Sequence, residues 1–309
     1  MEKNQINIMN KAFGIEKTLF DLVKNQKLDE VIDIINKYGK SLDFNIRDNS
    51  NTYLIQYAIM FNNISLVTSI LKYNCKLDFI DSEGHTILYT PIKHGYNEII
   101  KILLENNDII GIPLVDMIDR LGSYAIHYVV LYDNNDAFDI LLKYSGNVNK
   151  IDIRGNTALH LAIKKKNYYI IKKMLEIPKT NPNIQTNIGE SPLHIAANYE
   201  DENATALLLQ RNDIIVDLID HEYQITPLMY LSTLNNIKLV TMLLNAGAKA
   251  EIQDSSGNSP LHLAIIEDNI PVANLLISKF NNFNIVNIEG MTPLHKLLSL
   301  YIDDKFDRV

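Results

Sequence analysis

The 309-residue chain contains no tryptophan and one cysteine, Cys75. A single thiol cannot close an intramolecular disulfide, so burial must hold the fold, and a reducing, cytoplasmic setting is expected. No run approaches the ~18 uninterrupted apolar residues of a membrane span. The N-terminal MEKNQINIMN lacks the basic end and apolar stretch of a secretory signal, and position 2 is not the glycine that myristoylation needs. Positive charge is in deficit: 29 Lys and Arg against 37 Asp and Glu leave a net charge of −8. That balance argues against a nucleic-acid ligand. The nucleophile elbow, the HExxH zinc motif, the phosphate-binding loop and the kinase signatures are all missing, so an enzyme is not expected.

What the chain does contain is a period. TALHLA at Thr157 returns as SPLHIA at Ser191, SPLHLA at Ser259 and TPLHKL at Thr292, with weaker copies at Thr18, Tyr53, Thr86, Tyr124 and Thr226. The steps between successive copies are 35, 33, 38, 33, 34, 35, 33 and 33 residues. Five residues before the motif stand Asp48, Asp81, Asp119, Asp152 and Asp254, and two before it Gly84, Gly122, Gly155, Gly189, Gly257 and Gly290. Ten residues after the motif start come Asn63, Asn134, Asn167, Asn236 and Asn269. Asparagine tolerates a left-handed turn, so a reversal is expected there. Thr or Ser is a good helix N-cap, and proline next to it suits the first turn. Leu159, Ala162 and Ile163 then share one helical face, and Ile170, Ile171, Met174 and Leu175 share a second. Two such short helices cannot bury their faces alone, so each copy must stack on the next.

These residues resemble the ankyrin repeat family, with its period near 33 and its T-P-L-H-x-A pattern. The resemblance implies an all-α fold, a solenoid of helix-turn-helix units joined by short β-hairpin loops. It implies one domain over 1–309, with repeats beginning near 13, 48, 81, 119, 152, 186, 221, 254 and 287. Residues 1–12 are expected as an N-terminal cap segment and 299–309 as a C-terminal cap. Repeat seven departs from the pattern, with Gln224 in place of glycine and a one-residue slip near Asp220. The 38-residue step carries an insertion with Ile109, Ile110, Ile112, Leu114 and Val115, which could pack or bind.

His127, His160, His194, His262 and His295 take the fourth motif position, one per repeat. Stacked repeats hold equivalent atoms ~10 Å apart, whereas zinc needs nitrogens ~2 Å from one ion, so no metal ladder and no cofactor are expected. The resemblance implies instead a structural hydrogen-bonding role near the helix start. Cys75 is expected to be buried and inert.

The resemblance also implies a concave binding face built from hairpin tips and the outer ends of the first helices. By register, its middle gathers Arg120, Leu121, Tyr132, Ile153, Arg154, Lys164, Lys165, Ile188, Tyr199, Tyr223 and Ile225. Interface centres are rich in tyrosine, arginine and apolar anchors, so the expected function is non-catalytic recognition of a protein or peptide, as adaptor or inhibitor. The basic residues suggest an acidic or phosphorylated partner. The chain is expected to be a monomer that binds neither nucleic acid nor membrane. The alternatives are a regulatory or targeting part of a larger enzyme assembly, a self-associating scaffold, or nucleic-acid binding through Lys164 to Lys166.

Overall fold

Helices shorter than about 12 residues are marginal in water, so the short helices of each repeat must be stabilised by packing. The computed structural model describes residues 14–106, 113–144, 147–279 and 282–306. The expected cap over 1–12 lies outside the described residues, as do Ile109, Ile110 and Ile112 of the insertion and residues 307–309. The chain divides into two compact units, Met1–Asn147 and Val148–Val309.

The first unit holds α1 (14–24), α2 (Leu28–Tyr38), α3 (Leu54–Met60), α4 (Ile64–Leu71), α5 (Tyr89–His94), α6 (Asn97–Glu105), α7 (Ala125–Leu131) and α8 (Asn135–Leu142). Here α3 packs on α5 and α5 on α7, while α2 packs on α4, α4 on α6 and α6 on α8. The second unit holds α9 (Ala158–Lys165), α10 (Tyr168–Glu176), α11 (Pro192–Asn198), α12 (Glu202–Leu209), α13 (Pro227–Ser232), α14 (Ile237–Asn245), α15 (Pro260–Ile266), α16 (Ile270–Lys279) and α17 (Pro293–Phe306). Its odd-numbered helices pack in one row and its even-numbered helices in another. The core lies between the rows: Ile59, Ile70, Ile99 and Phe138 in the first unit, Leu159, Ile171, Leu208 and Leu243 in the second, all buried. Ala58, Ala162, Ala196 and Ala264 are fully buried, as close helix approach requires. The hairpins are minimal. Among the described residues they amount to isolated antiparallel bridges, Arg47 with Tyr53, Ile80 with Thr86 and Ile151 with Thr157.

The asparagines do a different job from the one expected. Asn63, Asn134, Asn167 and Asn236 have φ of −93°, −88°, −82° and −109°, far from the left-handed region. Each side chain instead caps the second helix, accepting the N–H of Leu66, Ala137, Ile170 or Leu239. The left-handed residue is the one before: Asn62, Asp133 and Lys166, with Glu200 and Asp268 in their repeats, at φ of 47° to 57°. A reversal that leads straight into a helix needs both a left-handed residue and a capping acceptor, and the two needs fall on neighbouring positions.

Two motif copies also begin differently. Thr18 lies inside α1, where its hydroxyl donates to the Gly14 carbonyl at 2.9 Å. In repeat three the helix starts at Tyr89, after a turn in which Tyr89 N–H donates to the Thr86 carbonyl at 3.0 Å. Leu114 and Val115 of the insertion are buried in a short 3-10 turn, Leu114–Asp116, packed on α7. Helix α17 runs through residue 306, so 299–306 continues that helix.

Candidate functional site

The repeated histidines complete a capping box. Thr157 N–H donates to His160 Nδ1 at 3.0 Å, and Thr157 Oγ1 lies 2.8 Å from the same nitrogen. Ser191 with His194 and Ser259 with His262 repeat the arrangement, and Tyr124 N–H donates to His127 Nδ1. With Nδ1 accepting, the ring proton sits on Nε2, which faces a carbonyl of the next repeat: Glu190 for His160 at 3.2 Å, Ile225 for His194 at 2.9 Å, Met291 for His262 at 3.0 Å. Each imidazole thus joins two repeats in its neutral form. Burial pushes His160 down from 6.5 to about 4. His194 and His262 are lowered for the same reason. Among the described residues no cluster of His, Cys, Asp and Glu is arranged to hold a metal ion.

The hairpin tips are linked by a backbone ladder. Within the second unit, Asn187 N–H donates to the Arg154 carbonyl, His221 N–H to Ile188, Ser255 N–H to Tyr223, and Ile288 N–H to Ser256, at 2.8–3.0 Å. Within the first unit, Arg120 N–H donates to the Gly84 carbonyl at 2.9 Å. The conserved spacing of Asp and Gly within the chain follows from this geometry. Asp152 Oδ1 accepts the N–H groups of Arg154 and Asn156, which fixes the turn. Gly189 takes φ +86°, and a Cβ there would stand 2.3 Å from His221 N, so the approach of the next tip leaves no room for a side chain. In repeat seven the extra residue lets Gln224 adopt φ 56° in place of a glycine, while Asp220 Oδ1 still accepts the N–H groups of Tyr223 and Ile225.

The first unit holds three of the expected surface residues. Arg120 and Leu121 are exposed on a tip. Tyr132 is half-buried: its hydroxyl is 2.8 Å from that of Tyr89, and its ring packs edge-on to Tyr89 at 5.9 Å. Tyr89 stacks on His85 at 3.6 Å and meets Tyr128 edge-on at 4.8 Å, so Tyr132 is the rim of an intramolecular aromatic cluster. Tyr128 in turn donates to Asp119, and burial pushes its hydroxyl up to a pKa above the usual range for tyrosine. The sequence showed four separate aromatic positions in two repeats, and only stacking reveals them as one group. Beside this cluster, a cleft of about 320 Å³ is lined by Gln56, Met60, Phe79, Asp81, Tyr89 and Lys93, among others.

The second unit holds the other eight. Ile153, Ile188 and Tyr223 stand on the tips, exposed by 70%, 56% and 53%. Arg154, Lys165 and Tyr199 are exposed beside them. Lys164 is half-buried and donates to Asn156 Oδ1 at 3.0 Å, so it braces the hairpin beneath the tip. Ile225 is half-buried as well, and its carbonyl is the one that faces His194. Lys166, third in the lysine run, occupies the left-handed turn position. The basic centre is therefore smaller than the sequence suggests, and the apolar component dominates. Cys75 is buried, which pushes its thiol up to about 12 and leaves it unreactive at neutral pH.

Known proteins share this organisation. The putative ankyrin repeat protein L371 of Acanthamoeba polyphaga mimivirus is 32% identical over 312 residues, a match that takes in 93% of this chain and 40% of the relative. The nuclear factor NF-kappa-B p105 subunit of Gallus gallus is 26% identical over 247 residues, covering 78% of this chain and 21% of the relative. This chain thus spans well under two thirds of the length of these relatives. The crystal structure of the ankyrin repeat domain of Bcl-3 superposes with a TM-score of 0.62 at 24% identity, over 69% of this chain and 94% of that one, which establishes likeness of fold. The family model for ankyrin repeats matches residues 19–113, 111–185, 165–254 and 234–300, and the chain belongs to the ankyrin-repeat family.

Proposed function

We propose that the second unit is a non-catalytic recognition module that binds a protein partner along its hairpin tips and the adjoining ends of its first helices. The observation that carries this reading is the exposure of Ile153, Ile188 and Tyr223 on tips whose backbones are locked in a ladder. Solvation would favour polar residues there, and the ladder that orders the tips uses backbone groups. Rigid apolar and tyrosine anchors bind at low entropic cost, which suits a surface already ordered before its partner arrives. Arg154 and Lys165 add positive charge at one end of this row, which favours a partner carrying acidic or phosphorylated residues next to its apolar anchors. With Lys164 occupied by Asn156, charge is the smaller contributor. An adaptor or inhibitor works by occupying such a surface, and no reacting group is required of it. Affinity capture from cell lysate, with the full chain and an Ile188→Ala/Tyr199→Ala/Tyr223→Ala variant as baits, tests the reading. Proteins held by the first bait are expected to be lost from the second. Equal capture by both would place the binding surface elsewhere.

A further inference from the structure

A tyrosine one place out of register opens a polar cleft in the first unit. The hairpin aspartates fix their turns through Oδ1, as Asp81 does by accepting the N–H groups of Glu83 and His85 at 2.9 and 2.8 Å. In four other hairpins the fold also takes up the second oxygen. Asp48 Oδ2 is met by Lys24 and Tyr57, Asp119 Oδ2 by Tyr128, Asp152 Oδ2 by Asn156 and Asp254 Oδ2 by Asn258. Tyr57 and Tyr128 hold the fifth motif position. Repeat three has Thr90 there, and its tyrosine, Tyr89, stands one place earlier, where the hydroxyl meets Tyr132 instead. Asp81 Oδ2 is thereby left without a donor among the described residues, as is Asp220 Oδ2 in the irregular seventh hairpin. His85 Nδ1 does not fill the role, because it lies 3.7 Å from an oxygen of Asp81 and of Glu83, beyond hydrogen-bond reach.

The Asp81 side chain is only 21% exposed, and with Glu83 it lines the cleft of about 320 Å³ beside the aromatic cluster. That volume is at the lower end of ligand sites, roughly 300–1,000 Å³, and gives room for one long side chain. Phe79, Met60 and Tyr89 supply its apolar and aromatic walls. His85 stacks on the Tyr89 ring at 3.6 Å, and the Lys93 ammonium rests over the same ring, 5.5 Å from its centroid. A carboxylate oxygen short of a donor and a ring that already attracts a cation meet in one cleft. We propose that this cleft takes the guanidinium of an arginine carried by a partner protein, which donates to Asp81 and Glu83 and displaces Lys93 from Tyr89. A guanidinium is planar and weakly hydrated, and it can donate in its plane while its face lies on an aromatic ring, which an ammonium cannot do. Lys93 is exposed and free to move aside, so it acts as a built-in competitor. Met60, 54% exposed, offers an apolar contact to residues flanking the arginine, which favours a polypeptide over free arginine. The site belongs to the first unit and does not depend on the tips of the second.

Titration of the full chain with Nα-acetyl-arginine amide, followed by the NMR amide signals of Tyr89 and Thr90, tests this. Saturable binding with a Kd of about 1–10 mM is expected for one side chain in an open cleft. Nα-acetyl-citrulline amide has nearly the same shape without the charge and should not saturate. Asp81→Asn keeps Oδ1 for the turn, and it and Glu83→Gln should each weaken binding about tenfold. Lys93→Ala should tighten binding about threefold, because it removes the competing cation. An anion site would show these directions reversed. Glu83 is 76% exposed, so Glu83→Gln leaves the fold intact and carries the test even if Asp81→Asn disturbs its hairpin. Free arginine binding more than about tenfold tighter than the blocked form would make the ligand a metabolite and overturn the partner assignment. Absence of saturation, equal binding of citrulline, unchanged affinity in Glu83→Gln, or weaker binding in Lys93→Ala would each overturn the proposal.

Discussion

The neutral His160 gives the protein a specific acid sensitivity. In the unfolded chain the imidazole titrates near 6.5, and in the folded protein burial holds it down at about 4, with Lys164 acting in the same direction and the Glu190 carbonyl opposing. Between these values the unfolded state binds the extra proton. The histidine's contribution to stability is therefore fully present above pH 6.5, is lost as pH falls below it, and levels off below about 4. At 1.36 kcal/mol per pH unit of separation, the whole effect is about 3 kcal/mol, of which about 2 kcal/mol is already lost at pH 5.

The protein itself supplies the control. In repeat two, Gln56 stands where the histidine would be, and its Oε1 accepts the Tyr53 N–H at 2.8 Å. His160→Gln should therefore keep the capping acceptor and remove the titration. At pH 7.5 the variant should be less stable by about 1 kcal/mol, for the weakened bond to Glu190. At pH 5 it should be the more stable of the two, with the curves crossing near pH 6. Urea unfolding followed by circular dichroism, together with hydrogen exchange of the α9 amides, measures the difference. His194 and His262 titrate alike in both proteins, so subtracting the two profiles isolates residue 160. Parallel profiles with no crossing would refute the assignment of a buried neutral imidazole.

Two further outcomes test the tile junctions. Gly189→Ala should lower stability by more than about 2 kcal/mol, combining the left-handed φ with the clash at His221 N, whereas Gly247→Ala, at φ +90° in open space, should cost about 1 kcal/mol; thermal unfolding of both variants separates backbone strain from crowding. Arg211 donates to the carbonyls of Leu175, Ile177 and Thr180, so Arg211→Ala should cost about 2–3 kcal/mol in urea unfolding, and Arg211→Lys should recover only a minor part, since an ammonium cannot span the three acceptors.

The solenoid, its register and the capping role of Thr157, Ser191 and Thr226 were legible because they depend on residues three to six apart. The helix pairing was legible too, since the apolar periods in each tile point at one another. The role of the asparagines was misplaced by one residue, because a left-handed turn and an N-cap favour the same amino acid and only φ separates them. Exposure on the tips was legible for Ile153, Ile188 and Tyr223, whose side chains stand largely in solvent. It was not legible where a partner comes from elsewhere in the fold: Asn156 takes up Lys164, and Tyr89 takes up Tyr132 from 43 residues away.

Repetition also turns the chain into its own substitution series. In the seven copies that open with a capping residue, the fourth motif position holds Gln56, His127, His160, His194, Met229, His262 and His295, while Asp21 and Tyr89 hold it in the two copies that begin differently. Oε1 of Gln56, Nδ1 of each of these histidines and Sδ of Met229 all lie within reach of the N–H of the capping residue. What these side chains share is an acceptor at that distance. Proton affinity and metal affinity vary widely among them, so neither can be the property the position serves. The tips show the reverse. Arg154, Ile188, Tyr223 and Ser256 share one backbone carbonyl in the ladder, and their side chains have nothing in common. A position where the fold asks only for a carbonyl leaves charge, size and polarity free to be matched to something outside the chain, and it is there that recognition can reside without cost to stability.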